Sequence, residues 1–217
     1  MSPFRLITFD VYTALFDVEG SLAPVAGTWV ENPLEFVRAW RAKQLELALI
    51  SNSLDRGRLP FETLTRRALD ITLARARLDA PHGLRQNLVQ AWDELRPWPE
   101  AGEVLMEVKA RGYRMALLSN GDEAQLRTLA ARFSVSFDYV FSAEGAGHYK
   151  PHPSVYALPN SAPEHVLHVA GSATDVLGAK SAGLRCAWSN RRGEPLLDPA
   201  LPPDYEFADL RGLLNIL

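Results

Sequence analysis

The 217-residue chain contains a single cysteine, Cys186, so it cannot form an intramolecular disulfide. That suits a reducing compartment, and a cytoplasmic protein is expected. Long apolar runs are missing too. No stretch approaches the ~20 residues of a membrane span. At the amino end Phe4-Arg5-Leu6-Ile7-Thr8-Phe9 follows almost at once, with no basic segment leading a long apolar one, so no targeting segment is expected. A basic excess is also lacking. Formal net charge is -3, which argues against nucleic acid or an anionic membrane surface as partner, since both reward a basic face. Among the five histidines (His82, His148, His152, His165 and His168) no pair has metal-helix spacing, so zinc is not expected. His168 falls in an apolar strand and reads as a core histidine. Cys186, in Leu184-Arg185-Cys186-Ala187-Trp188, reads as a small buried strand residue. There are no internal repeats and no low-complexity tracts.

What is present supports a sizeable core: 47% of the residues are hydrophobic and 9% aromatic. The length suits one medium domain, or a core with a smaller insert. Residues 4–9 form a short apolar run ending in Asp10, a buried strand. Residues 16–32, with Gly20, Pro24 and Gly27, read as a connection. From Pro33 to about Leu95 the pattern is helical: Phe36, Val37, Trp40, Gln44 and Ala48 recur near a 3.6-residue period. Pro60 opens a second helix and Leu84, Leu88 and Trp92 mark a third. Trp40, Phe61 and Trp92 read as helix core, Arg56-Gly57-Arg58 as a turn, and Arg66-Arg67 and Arg191-Arg192 as solvated faces. Pro97 and Pro99 form a boundary.

Beyond it strands and helices alternate. Helices are expected at 100–111, 123–133, 153–158, 174–182 and 208–216, and strands at 113–118, 138–141, 166–170 and 184–188. Such alternation implies α/β architecture, a doubly wound, Rossmann-like parallel sheet with helices on both faces. The expected organisation is a core of residues 1–15 and 97–217, interrupted by a helical cap at 16–96. Ligands bind beyond the carboxyl ends of strands in such sheets. Asp10, Ser119-Asn120 and 170–175 all fall at those ends.

Four clusters carry candidate chemistry. An aspartate closing a buried strand, as Asp10 does, is costly unless paired or used, although alone it could cap a helix. Ser119-Asn120-Gly121 offers small donors after a strand, yet such triplets also make turns. Lys150, in His148-Tyr149-Lys150-Pro151, could be a solvated lysine. Asp175, in Gly171-Ser172-Ala173-Thr174-Asp175, could be a cap residue.

Together, in this order and spacing, Phe9-Asp10-Val11-Tyr12 with Leu15-Phe16-Asp17, Ser119-Asn120-Gly121, Tyr149-Lys150-Pro151, and Asp175 with Gly178-Ala179 resemble the haloacid dehalogenase superfamily. Trp40-Arg41-Ala42-Lys43-Gln44-Leu45-Glu46 resembles its L-2-haloacid dehalogenase branch in particular. The resemblance implies a cofactor-independent, metal-independent hydrolase acting on a short 2-haloacid. Asp10 would attack the carbon bearing the halogen and form an ester. Ser119 would hold the substrate carboxylate or the nucleophile, and Asn120 and Arg41 would face the departing halide. Lys150 would neutralise Asp10, and Asp175 would position Lys150 or help activate water. Val11, Tyr12, Thr13, Leu45, Phe61, Ser172 and Thr174 would line the substrate, under a cap whose opening gates access. A homodimer is also implied.

Two alternatives are set against this reading. A magnesium-dependent phosphatase of the superfamily would carry a second aspartate where this chain has Tyr12, whose phenol has an ordinary pKa near ~10. It would also carry an acidic residue near Ala170-Gly171-Ser172, where none occurs. A catalytically impaired ligand-binding homologue is the other alternative, because several family residues are replaced. The usual Tyr-Gly-Thr-Leu is Tyr12-Thr13-Ala14-Leu15 here, so Ala14 lacks a hydroxyl and Thr13 has one whose direction the sequence does not give. Ala170, Ser172 and Thr174 replace two polar residues and an aromatic in the last motif.

Overall fold

The computed structural model describes residues 3–54 and 57–217. Arg56 of the expected turn lies outside them. The described chain divides into two compact units, residues 1–16 with 97–217 and residues 17–96.

Strand β1 (Leu6–Phe9) is buried at every position, as a central strand covered on both faces must be. The chain then runs through β2 (Phe16–Asp17) into the second unit. Its first helix, α1 (Val18–Ala26), occupies a stretch expected to be a connection. Asp17 explains part of the difference, since its carboxylate accepts the Gly20 N–H at 2.8 Å and caps the helix. Pro24 supplies no N–H for the Gly20 carbonyl, and the Arg96 guanidinium donates to that carbonyl instead. Helices α2 (Pro33–Leu54), α3 (Phe61–Ala76) and α4 (His82–Gln90) follow. Trp40, Phe61 and Trp92 are fully buried. Trp40 meets Trp92 edge-on at 5.6 Å, and its indole N–H donates to the Thr65 carbonyl at 2.9 Å.

The chain returns through β3 (Arg96–Pro97) to the first unit. There follow α5 (Ala101–Ala110), β4 (Arg114–Ser119), α6 (Glu123–Ala130), β5 (Tyr139–Ser142), α7 (Pro153–Tyr156), β6 (Val166–Ala170), α8 (Ala173–Ser181), β7 (Arg185–Ser189) and β8 (Tyr205–Phe207). The main sheet has the order β5-β4-β1-β6-β7-β8 and all of its pairs are parallel. From β1 the chain proceeds toward β4 and β5, and from β6 toward β7 and β8. The winding therefore reverses between β1 and β6. Cys186 is buried on β7.

Two features at the carboxyl end depart from expectation. β8 is a short edge strand that its sequence does not announce. Leu210–Asn215 forms a 3-10 helix rather than the expected α-helix over 208–216. Gly212 lies inside that run, where a Cβ would come within 2.4 Å of the Phe207 side chain. Glycine weakens an α-helix and permits this close approach. Gly212→Ala should therefore lower unfolding stability by about 1–3 kcal/mol, read as a shift in the urea midpoint with the m-value unchanged.

Candidate active site

The reversal between β1 and β6 opens a crevice beyond their carboxyl ends, where doubly wound sheets bind ligands. Asp10 enters it directly from β1, its N–H bonded to the Val169 carbonyl at 3.0 Å. The following residues, Val11–Leu15, wind as a single π-turn capped by Asp10. This winding brings Thr13 back over the carboxylate. Its N–H and its hydroxyl both donate to Asp10 Oδ2, at 3.0 and 2.7 Å. The loop is held from outside by Trp98, whose indole N–H donates to the Thr13 carbonyl at 3.1 Å. Gly171, just after β6, packs so closely that a Cβ there would lie 2.3 Å from Ala14 N and 2.5 Å from Thr13 Oγ1. A side chain at position 171 would displace the Thr13 hydroxyl.

Lys150 reaches the same place from the loop after β5. Its backbone N–H donates to Asn120 Oδ1 at 2.7 Å, which ties this loop to the end of β4. The buried ammonium lies 3.4 Å from Asp10 Oδ1 and 3.0 Å from Asp175 Oδ1. Asp175 sits in the first turn of α8, which Ser172 caps. The Tyr156 hydroxyl donates to Asp175 Oδ1 at 2.7 Å, and His168 Nε2 lies 2.9 Å from Oδ2. On its far side, His168 Nδ1 is 2.9 Å from Thr8 Oγ1. Gly178 makes the Tyr156 contact possible, since a Cβ there would be 2.3 Å from the Tyr156 hydroxyl.

The charges are consistent with this geometry. Burial alone would raise the Asp175 pKa, but the Lys150 charge and the bonds from His168 and Tyr156 outweigh it and hold the carboxyl well below its usual range. Burial first, then the Asp175 charge, pushes the Tyr156 phenol well up, so it remains a donor. Burial likewise raises the Cys186 thiol, which leaves it neutral and unreactive.

The structure brings Asp10, Thr13, Lys150 and Asp175 together. Asn120 turns its carbonyl oxygen to the Lys150 backbone. The Ser119 hydroxyl is fully buried and has no hydrogen-bond partner among the described residues. Val11 and Tyr12 are buried in the loop after Asp10, and Thr174 is exposed. In the other unit, the Arg41 guanidinium donates to Gln44 Oε1 and lies 5.3 Å from the centre of the Trp92 ring system and 6.0 Å from that of Phe61. Leu45 is partly exposed on α2.

Two readings need correction. Arg191 does not belong to a solvated face: it stacks 4.3 Å over Trp98 and pairs with buried Glu100. His168 is buried, but it belongs to the polar cluster rather than to an inert core. Sequence reasoning gave no site role to His168, Tyr156 or Thr8. A usable signal was the adjacency of β1 and β6, which places Thr8 opposite His168 in register.

A carboxylate fixed through one oxygen and exposed to an ammonium through the other, at the switch point of a parallel sheet, is equipment for covalent hydrolysis. The chain belongs to the haloacid dehalogenase-like hydrolases, whose family model matches residues 11–183. It is 29% identical to haloacetate dehalogenase H-2 of Moraxella sp. (strain B), over 100% of this chain and 99% of that protein. It is 32% identical to (S)-2-haloacid dehalogenase 4A of Burkholderia cepacia, over 98% and 91%. The structure of L-2-haloacid dehalogenase from Xanthobacter autotrophicus with chloropropionic acid covalently bound superposes with a TM-score of 0.87, at 27% identity and 98% coverage of both chains.

The depressed Asp175 carboxyl sets an acid response. In the unfolded chain it titrates near ~3.9, whereas in the fold it stays ionised to lower pH. Its stabilisation is therefore complete above the unfolded value and drains away as pH falls toward the folded one. Asp175→Asn should flatten the acid limb, so that wild-type Tm falls more steeply than the variant's below about pH 5. Thermal melts at half-unit pH steps would check this, and parallel limbs would show that the carboxyl is not held as described.

Proposed function

We propose that this protein hydrolyses the carbon–halogen bond of a short 2-haloacid, with Asp10 as nucleophile and without a metal. The observation that carries the proposal is the unequal hydrogen bonding of the Asp10 oxygens. Oδ2 accepts two bonds from Thr13, while among the described residues Oδ1 meets the Lys150 ammonium alone, at 3.4 Å. Oδ1 is thus the less encumbered nucleophile.

In the first step Oδ1 attacks the carbon bearing the halogen from the back. The carbon–halogen pair leaves with the halide, and an ester forms with inversion at that carbon. Arg41 is the guanidinium assigned to the departing halide, where it would stabilise developing negative charge. In the second step water attacks Cγ of the Asp10 ester. Negative charge then develops on Oδ2, where the Thr13 N–H and hydroxyl already point. Preorganised donors of this kind act as an oxyanion hole. Collapse passes one water proton to the departing alkoxide oxygen, releases the 2-hydroxyacid and regenerates the Asp10 carboxylate, and the second proton leaves to solvent. Overall, haloacid anion and water give hydroxyacid anion, halide and one proton.

The Thr13 hydroxyl also bears on the question of lost activity. The family's usual threonine is Ala14 here, yet the nucleophile still receives a threonine hydroxyl from the preceding position. A phosphatase reading is less well supported. Both carboxylates that would ligate magnesium are engaged with the Lys150 ammonium, and the Tyr12 hydroxyl is turned to Gln125.

With EDTA present, wild type should release halide and protons in equal amounts from chloroacetate, fluoroacetate or L-2-chloropropionate, and the last should yield the inverted hydroxyacid. Asp10→Asn should abolish release while remaining folded. Thr13→Val should cut kcat by about 10²-fold, and Arg41→Ala should lower kcat with little change in Tm. Retained configuration would rule out attack by Asp10 on carbon. Phosphate ester cleavage that requires magnesium, with no halide release, would favour the phosphatase.

A further inference from the structure

We propose that His168, backed by Thr8, is a positioning residue of this site: as a neutral Nε2–H tautomer it fixes the Asp175 carboxylate as the anchor of Lys150, and so leaves Asp175 no role as a base. The inference rests on the dehalogenation reading above.

For a neutral ring the geometry selects the tautomer. A neutral imidazole has one donor and one acceptor nitrogen. Nε2 has two neighbours, Asp175 Oδ2 at 2.9 Å and Lys150 Nζ at 3.4 Å. An ionised carboxylate only accepts and an ammonium only donates. Because Asp175 is ionised and nearer, Nε2 carries the hydrogen and donates to Oδ2. Nδ1 is then an acceptor, and Thr8 Oγ1 at 2.9 Å supplies the matching hydroxyl. Both ends of the fully buried ring are thereby fixed.

The consequence falls on Asp175. Oδ2 receives His168, Oδ1 receives Tyr156 at 2.7 Å, and Lys150 lies 3.0–3.1 Å from both oxygens. A carboxylate this fully supplied with donors cannot rotate, and is a poor proton acceptor for water. What it can do is aim the ammonium at Asp10, whose Oδ1 lies 3.4 Å from Lys150 Nζ. The titratable groups around the ring are Asp175 on α8, Lys150 on its loop, Tyr156 on α7, edge-on at 5.7 Å, and Cys186, which is in register on β7. Asp10 in turn meets Lys150.

The test compares His168→Phe, His168→Gln and Thr8→Val with wild type. His168→Phe should lower kcat by on the order of tenfold or more through misplacement of the ammonium, with KM changed much less. The acid limb of its kcat profile should move to higher pH, because Asp175 has lost a donor. His168→Gln, which keeps an N–H at the same reach, should recover part of kcat and most of the pH shift. Thr8→Val should fall between wild type and His168→Phe. Independently of any substrate, 15N-histidine NMR of the resting wild-type protein should show a buried imidazole in the Nε2–H form, and Thr8→Val should weaken that preference. An Nδ1–H or imidazolium ring would overturn the assignment. So would a His168→Phe enzyme with wild-type kcat and acid limb, or losses that merely follow Tm and are equal in His168→Phe and His168→Gln. If wild type turns over no haloacid, the function proposed above fails, while the NMR result still decides the tautomer.

Discussion

The Lys150 ammonium, shared by two buried carboxylates, is the interaction on which the rest of the site depends. Asp10 arrives from the end of β1, Asp175 from the turn after β6, and Lys150 from the loop after β5 that Asn120 ties to β4. Without the cation, two carboxylates facing one crevice would repel each other. Breaking such a buried pair by removing one partner typically costs about 3–5 kcal/mol, because the remaining charge is left uncompensated. One positive charge against two negative ones also leaves a surplus. Asp175 has three donor groups, while Asp10 Oδ1 has the longer contact to the ammonium, at 3.4 Å. A carboxylate needs residual charge in order to attack carbon.

The approach of the loops depends on atoms that are missing. Gly171 lets the turn after β6 close onto Thr13, and Gly178 lets Tyr156 reach Asp175. These contacts make sense of two replacements relative to the usual family pattern. A hydroxyl at position 13 needs the room that a side chain at 171 would take, and with Thr13 on Asp10 Oδ2 the methyl of Ala14 suffices where a hydroxyl is common. The altered loop is a rearranged donor set in which the nucleophile keeps its support.

Much of this was legible in the sequence where the signal is local. The apolar run before Asp10, the alternation after Pro99 and the 3.6-residue pattern of α2 and α3 each report on their own elements. Helix α1 was hidden because Gly20 and Pro24 read as breakers, and the Asp17 cap and the Arg96 donor that offset them act through space. The direction of the Thr13 hydroxyl depends on one π-turn, which has no periodicity to detect. Arg191 looks solvated beside Arg192 until Trp98, more than ninety positions away, supplies a face for it. His168 was misjudged for a similar reason. An apolar strand makes its only histidine look like packing, and its partners Thr8, Lys150 and Asp175 meet only once β1, β6 and α8 are assembled.

The choice of an ammonium to bridge the carboxylates suits displacement at carbon. A divalent cation would balance both negative charges and draw electron density from the attacking oxygen. It also demands near-octahedral oxygen ligation, which would engage the oxygen that must attack. An ammonium carries half that charge, donates along three directions, and is covalently tethered. Here two of those directions are directed to Asp175, and the contact to Asp10 Oδ1 is the longest of its carboxylate contacts, at 3.4 Å. The cation is therefore close enough to orient Asp10, and far enough to leave its lone pair available. In the proposed mechanism, ester formation would remove the charge on Oδ1 while Asp175 holds Lys150 through both of its oxygens. The cluster then returns to its starting arrangement once water restores the carboxylate.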